Sequence, residues 1–597
     1  MLKDFKSQTW AAVISVIFGL CLWSGFSSAD DHNVHTKQLH QLVDEIWRYE
    51  LEVNPLLASS EGVEGYDHKL ADVSPAGLKK RNQRFSDYLA RLDALDQTQL
   101  ERDDLITLLM QKYRIQNYVD LYQLNDHFVP ITSEYGFHSA LAQLPNRVKI
   151  QNAQDTENYL QRLSLVSGQI EQNIAWMREG MKVGMTQPKA VLLGFEESVS
   201  PLIVDSASQS AFFKPFASLD KNRFNDSQIK GWQSRAKQII EQKLIPAYQA
   251  FYNFLVDEYI PNARDDIAAI SWPNGKVLYQ NRIRYYTTTD LSADEIHQIG
   301  LDEVARIRAE MQQIVDSLEF DGDINEFIQF LRTDPQFYAK MPEELLIHAS
   351  YISKQMDAKL PKLFNLLPRT PYGVAPVPDS IAPKYTTGRY VSPQRDDQPG
   401  YYWVNTYALD KRPLYAIPAL TLHEAVPGHH LQISLANEME GLPDVRRKTY
   451  ISAFGEGWGL YSEYLGKEVG IYSDPYDDFG RLSYEMWRAC RLVVDTGMHT
   501  MGWSRDRALA YMLENTALSA HNVKTEIDRY ISWPAQALSY KIGEIKIKKL
   551  RESAEKALGD RFDIRAFHDA VLAEGSVPLY ILEQNIEQFI KTQLTHN

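Results

Sequence analysis

The chain has 597 residues, 44% hydrophobic and 24% charged, which is enough to bury a large core and enclose a cavity. Its formal net charge of −15 argues against a nucleic-acid partner, because neutralising phosphates needs clustered Lys and Arg. With only 2 cysteines a disulfide-stapled scaffold is excluded.

Lys3 and Lys6 precede the apolar run TWAAVISVIFGLCLWSGF, and Ser27 to Ala29 offer small residues for cleavage. This is the layout of a secretory signal peptide over residues 1–29. A permanent anchor is the alternative, since the run approaches the length that spans a bilayer. Cys21 follows FGL, a poor fit to a lipoprotein signal, so no lipid anchor is expected. Cleavage leaves Cys490 alone in WRACRLVV, where it is expected to act as a buried small hydrophobe rather than a nucleophile. No other apolar run reaches membrane length. The mature chain is therefore expected to be soluble, without membrane contact, in the periplasm or outside the cell.

Beyond the leader the chain reads mainly as amphipathic helix. HTKQLHQLVDEIWRYELEV, RDDLITLLMQKYRIQNYVDLY, QSRAKQIIEQKLIPAYQAFYNFLVDEYI and DEIHQIGLDEVARIRAEMQQIVDSL each repeat apolar residues at three- and four-residue spacing. Ser292 is the expected N-cap of the last, with Glu295 completing a capping box. Between these helices Lys276 to Leu291 is aromatic and β-branched and is read as a possible strand. The segment from Leu367 to Tyr407 is dense in Pro and Gly, with β-prone GRYV and YYWVNTY, and suits a small irregular sheet. A soft boundary near 290 separates an N-terminal helical region, 30–290, from a C-terminal region, 291–597, that carries the chemistry.

That chemistry centres on TLHEAVPGHHLQ, from Thr421 to Gln432. It resembles the His-Glu-x-x-His zinc helix, but the residue four after His423 is Pro427 and the next histidines are His429 and His430. On an ideal helix, residues six apart are separated by about 9 Å of rise and point roughly 120° apart. Residues seven apart are separated by about 10.5 Å of rise. Neither pair can close on one zinc ion with nitrogen ligands about 2.0–2.1 Å away. Pro427 lacks the N–H that a helix returns to His423, and Gly428 adds backbone freedom, so the helix is expected to deform there if the histidines share a metal. Alternatively one helix ends near Val426 and another begins at Pro427, with the histidines merely polar. Spacing alone admits both readings.

Downstream, in SAFGEGWGLYSEYLGKEVG, Glu456 sits between glycines in an apolar stretch where a buried carboxylate needs a partner. Glu463 lies seven residues on and near the same face, where it suits a role in holding a histidine. Two histidines and one glutamate leave an open position for water, which marks a zinc site as catalytic. Glu424 would then be the base. A capping or salt-bridged Glu456 is the structural alternative.

HEAVPGHHLQ, EGWGLYSEYL, RLVVDTGMHTMGWSRDRA and QALSYKIGE, in this order, resemble the bacterial family called domain of unknown function 885. The resemblance runs from about Leu291 to near the C-terminus and more weakly over the N-terminal helices. Its members are regarded as zinc metallopeptidases similar to helical gluzincins such as thimet oligopeptidase and angiotensin-converting enzyme. The resemblance implies His423, His429 and Glu456 as zinc ligands, with His430 as the alternative to His429. By analogy with dipeptidyl peptidase III, which has one extra residue between its histidines, a distorted helix can still bind zinc. It also implies an oxyanion donor from the C-terminal part, for which Tyr540 and His499 are candidates. Lys541, Arg488 and Arg491 are candidates to hold a substrate carboxylate. Asn405 and Tyr407 are candidates to line a cleft where a peptide pairs with an edge strand in GYYWVNTY.

The reading is a mainly α protein, expected as a two-lobed helical body with a deep cleft and a small irregular sheet near the site. Its expected activity is that of an exported zinc metallopeptidase of the oligopeptidase type, acting on short peptides. The alternatives are a metal-free peptide-binding or scaffold protein of the same fold, and a zinc hydrolase of non-peptide amides.

Overall fold

A computed structural model describes residues 26–379, 381–393 and 398–595. Most of the expected leader, 1–29, lies outside the described residues. The fold is mainly α with one three-stranded sheet. The elements used below are α1 (Phe26–Val53), α2 (Pro75–Asp93), α3 (Arg102–Gln123), α4 (Gly275–Thr287) and α5 (Ala293–Ser317). They continue with β1 (Tyr372–Pro376), β2 (Gly388–Val391), β3 (Gly400–Val404), α6 (Ile417–Glu424), α7 (His429–Glu438) and α8 (Ser452–Glu468). The last three are α9 (Pro475–Thr500), α10 (Ala520–Ser532) and α11 (Ser539–Leu558).

The periodic segments form helices, and α5 opens as its sequence dictates. Ser292 Oγ accepts the Glu295 N–H, and Glu295 Oε2 accepts the Ser292 N–H at 2.8 Å. The run at 226–262 stays helical through two prolines by widening into π turns at Ile240–Leu244 and Phe254–Tyr259, just before Pro246 and Pro261. A wide turn absorbs the bond that proline cannot donate.

Lys276 to Leu291 corrects the strand expectation, since α4 occupies most of it. Leu278, Tyr279, Arg282 and Ile283 are buried at three- and four-residue spacing, so packing of a helical face overrides β propensity. One core cluster joins residues on both sides of 290, including Leu163, Trp232 and Phe251 with Leu482, Val493 and Ile527. Cys490 is buried within it, and burial pushes its thiol pKa up. No helix among the described residues is long and apolar enough to cross a membrane.

The core of the C-terminal region is the close pairing of α8 with α11. A Cβ on Gly457 would fall 2.5 Å from the backbone of Gly543, and one on Gly543 would fall 1.9 Å from the Ala453 carbonyl. Glycine at both positions lets the two backbones touch, which brings Glu456 and Tyr540 to one wall. The sheet has the order β1-β3-β2, with β3 parallel to β1 and antiparallel to β2.

Candidate metal centre

The histidine segment is two helices with a break between them. Helix α6 ends at Glu424, Ala425 takes φ −95° and ψ −110°, the Val426–Pro427 peptide is cis, and α7 begins at His429. The Gly428 N–H reaches back to the Leu422 carbonyl at 3.0 Å, and the His430 N–H to that of Ala425 at 3.1 Å. A Cβ on Gly428 would lie 1.9 Å from the His423 carbonyl oxygen, so only glycine fits the fold-back. Trp458 Nε1 on α8 donates to the Pro427 carbonyl at 2.7 Å and ties the break to the neighbouring helix.

The break lets His423 and His429 face one point. One ligand atom from each of His423, His429 and Glu456 lies within 4.8 Å of the others. Glu456 Oε2 is 3.6 Å from His423 Nε2 and 3.5 Å from His429 Nε2. Charge-assisted hydrogen bonds are shorter, about 2.7–2.9 Å. Two ligands at about 2.0–2.1 Å on a tetrahedral ion stand roughly 3.3 Å apart, so the spacing fits a shared cation better than direct bonding. Burial works against a charged His423, but Glu456 and then Glu463 outweigh it and lift the His423 pKa to about 9. Burial likewise works against a charged Glu456, and the two histidines hold its pKa well below the usual range. Both shifts express one mutual attraction between Glu456 and the histidines.

His423 is oriented from behind. Its Nδ1 meets Glu463 Oε1 at 2.8 Å, and Arg488 Nη2 lies 3.2 Å from the same oxygen. Glu463 is 1% exposed, and Tyr472 donates to its backbone carbonyl at 2.7 Å. This carboxylate–histidine contact engages Nδ1 and leaves Nε2 turned toward Glu456 and His429. Gly459 makes room for the imidazole, since a Cβ there would be 2.7 Å from its Cε1. Glu463→Gln is expected to weaken zinc binding about 10–100-fold, measured by competition with a chromophoric chelator. Unchanged affinity would leave Glu463 a packing residue only.

His430 turns the other way. Its Nδ1 contacts the Tyr390 hydroxyl at 3.1 Å and Ser434 Oγ at 3.3 Å, and its ring packs against Tyr372 at 4.6 Å. Burial lowers its pKa to about 4, which keeps it neutral. It is not part of the three-residue cluster.

Glu424 lies on the floor of a cavity of about 740 Å³ that the ligand residues also line. The Tyr390 N–H of β2 donates to Glu424 Oε2 at 2.7 Å, so the small sheet orients this carboxylate. The segment YYWVNTY corrects one expectation. Its strand β3 is the central one, and β2 is the edge that faces the cavity.

The remaining candidates divide. Tyr540, Arg488 and Arg491 line the cavity. The Tyr540 ring lies over His423 at 6.3 Å between centroids, and the Arg491 guanidinium stacks on Tyr540 at 4.1 Å. Lys541, His499, Asn405 and Tyr407 do not line it. Lys541 is fully buried in ion pairs to Glu303 at 2.9 Å, Glu485 at 2.7 Å and Glu544 at 2.6 Å. Neighbours on a helix point about 100° apart, so placing Tyr540 in the cavity turns Lys541 away from it. His499 is equally buried, with Nδ1 accepting the Ala269 N–H and Nε2 against the Tyr530 carbonyl, both at 3.0 Å. Neither nitrogen is left for an oxyanion. Asn405 Nδ2 donates to the carbonyls of Ala382, Tyr385 and Thr386, and its Oδ1 accepts the Tyr407 N–H. It holds the chain leading into β2. Tyr407 is half exposed, outside the cavity.

The cavity also holds residues that the sequence did not single out, among them Glu134, Arg389, Tyr450 and Arg529. Arg389 belongs to the GRYV strand, whose alternation was a usable signal. The others carry no local one.

The family described as bacterial protein of unknown function (DUF885) matches residues 55–586. No curated protein matches the chain. Among solved structures, a candidate lipoprotein from Colwellia psychrerythraea is similar with a TM-score of 0.85 and 29% identity, over 94% of this chain and 99% of that one. A candidate lipoprotein of unknown function from Shewanella oneidensis is similar with a TM-score of 0.72 and 18% identity, over 92% of this chain and 99% of that one, and shares the fold.

Proposed function

The chain belongs to the DUF885 family of bacterial proteins of unknown function, and for this member we propose an exported, zinc-dependent metallopeptidase that hydrolyses short peptides. The observation that carries this reading is the convergence of His423, His429 and Glu456 beside Glu424 on one cavity. Two histidines and a glutamate are a donor set typical of catalytic zinc. The leader-like N-terminus supports export, as do the names of the two similar structures, both candidate lipoproteins.

His423, His429 and Glu456 hold the ion, which when bound supplies Lewis acidity and makes water acidic near neutral pH. Glu424, fixed through one oxygen by the Tyr390 N–H, takes the proton that water sheds as its oxygen joins the scissile carbonyl carbon. The same carboxylate delivers that proton to the amine nitrogen as the C–N bond breaks, so one water is consumed per bond. Tyr540, held under the Arg491 guanidinium, offers its hydroxyl to the negative charge that develops on the carbonyl oxygen. Along the edge of β2, Gly388 lies two residues from Tyr390 and so presents its backbone on the same side, for pairing with an extended peptide.

The test is a digest of a synthetic peptide library with product identification by mass spectrometry. Zinc-loaded protein should release defined fragments, and a chelator should stop the release until zinc is restored. Zinc-loaded protein that cleaves no peptide would sink the proposal.

A further inference from the structure

Four arginines line the cavity, and they are not equivalent. Arg488 is committed to Glu463, at 3.2 Å. Arg491 and Arg529 share a single carboxylate, Glu526, at 3.0 and 3.2 Å. Arg389 is exposed on the edge strand with its guanidinium 5.5 Å from the Tyr385 ring centroid, and has no carboxylate within ion-pair distance among the described residues. Glu134 stands near Arg529, Arg389 and Arg491 without an ion pair of its own among the described residues, and Glu424 bears on Arg389 from the same cavity. Among the described residues only Glu526 makes an ion pair with any of these three guanidiniums, while Glu134 and Glu424 act on them from beyond ion-pair distance. Arg491 Nη1 is buried and has no hydrogen-bond partner among the described residues. An unsatisfied guanidinium nitrogen in a buried setting is costly unless something fills its place.

We propose that Arg389, Arg491 and Arg529 form a carboxylate-binding subsite that takes the C-terminal carboxylate of a peptide substrate. Guanidinium groups pair with carboxylates in bidentate fashion, and a ligand carboxylate here supplies an ion-pair partner for Arg389 and an acceptor for Arg491 Nη1. Position decides what such a contact would do. Tyr540 lies 6.3 Å from His423 between ring centroids, and the Arg491 guanidinium lies 4.1 Å from the centroid of the same Tyr540 ring, so the guanidinium is within the reach of about three extended residues of roughly 3.3–3.6 Å each. A peptide anchored there has its scissile bond one to three residues from its C-terminus. The protein would therefore act from the C-terminal end and release a fragment of constant short length. Glu134 keeps the subsite from holding simple anions tightly when no peptide is present, because it competes for the same cations.

Only the cleavage pattern rests on the peptidase reading; the binding claim stands without it. Binding is measured by calorimetry on the full mature chain loaded with zinc and carrying Glu424→Gln to prevent turnover. The probes are a neutral pentapeptide as free acid, the same peptide as C-terminal amide, and an amide bearing one Asp side chain. The free acid should bind at least tenfold more tightly than the neutral amide, and adding Arg389→Gln should remove that difference. Equal binding of acid and neutral amide would overturn the proposal. So would an Asp-bearing amide that binds as well as the free acid, since the subsite would then read side chains. With Glu424 restored, products of constant length from the C-terminus support the assignment. Fragments cut at a fixed distance from the N-terminus would overturn it. An intact difference in binding with no cleavage of any peptide would reject the peptidase reading and leave the subsite standing.

Discussion

His429→Ala is expected to reduce bound zinc from one ion per chain to a trace, measured by elemental analysis after gel filtration. The substitution removes one of three donors that meet near Glu456 Oε2, and the remaining His423 and Glu456 cannot enclose an ion alone. The fold should survive, because His429 Nδ1 has no hydrogen-bond partner among the described residues that the change would orphan. A far-ultraviolet circular dichroism spectrum like that of the parent checks this. The control is His430→Ala, which removes contacts to Tyr390 and Ser434 but no proposed ligand, and should keep its zinc. A reversed pattern, with zinc lost from the His430 variant and kept in the His429 variant, would move the metal off the three-residue cluster.

Glu424→Gln should behave in the opposite way, keeping zinc while losing turnover. The amide has nearly the shape of the carboxylate, and its oxygen can still accept the Tyr390 N–H that now reaches Oε2 at 2.7 Å. What it cannot do is take a proton. General acid–base groups contribute about 10²–10⁴-fold, so kcat on a cleaved peptide should fall by that range with little change in bound metal. A variant with full zinc and undiminished kcat would assign the proton transfer to another group, and Glu424 would be reduced to a support for the sheet.

The parts of this site that could be read along the chain are those governed by local geometry. No regular helix can bring His423 and His429 to one ion, and Pro427-Gly428 marks where regularity fails; the break lies at 425–428. The Ser292–Glu295 capping box was equally visible, because cap and partner are three residues apart. GRYV and YYWVNTY form strands, but which strand is the edge depends on the return of β1 to pair with β3. Lys541 illustrates the opposite limit. It is a candidate in sequence to hold a substrate carboxylate, yet one helical step from Tyr540 rotates it into a buried network with Glu303 and Glu485. His499 shows the same limit, since a backbone N–H and a carbonyl from distant segments use both of its nitrogens. Lys276 to Leu291 was misleading for a related reason, its β propensity being weaker than the burial of one helical face.

Residue chemistry, helical period and the cost of proline are properties of a few consecutive residues. They established the mainly helical character, the two histidines and the glutamate beside them. The meeting of Glu456 with those histidines, the clamp of Glu463 on His423, and the facing of Arg389 to Arg529 arise only after α8, α10 and β2 have packed. Glycines 457 and 543 control part of that packing, because two helices approach this closely only where neither has a side chain in the way. The energies that select such contacts act between residues far apart in the chain, and they exist only once it has closed.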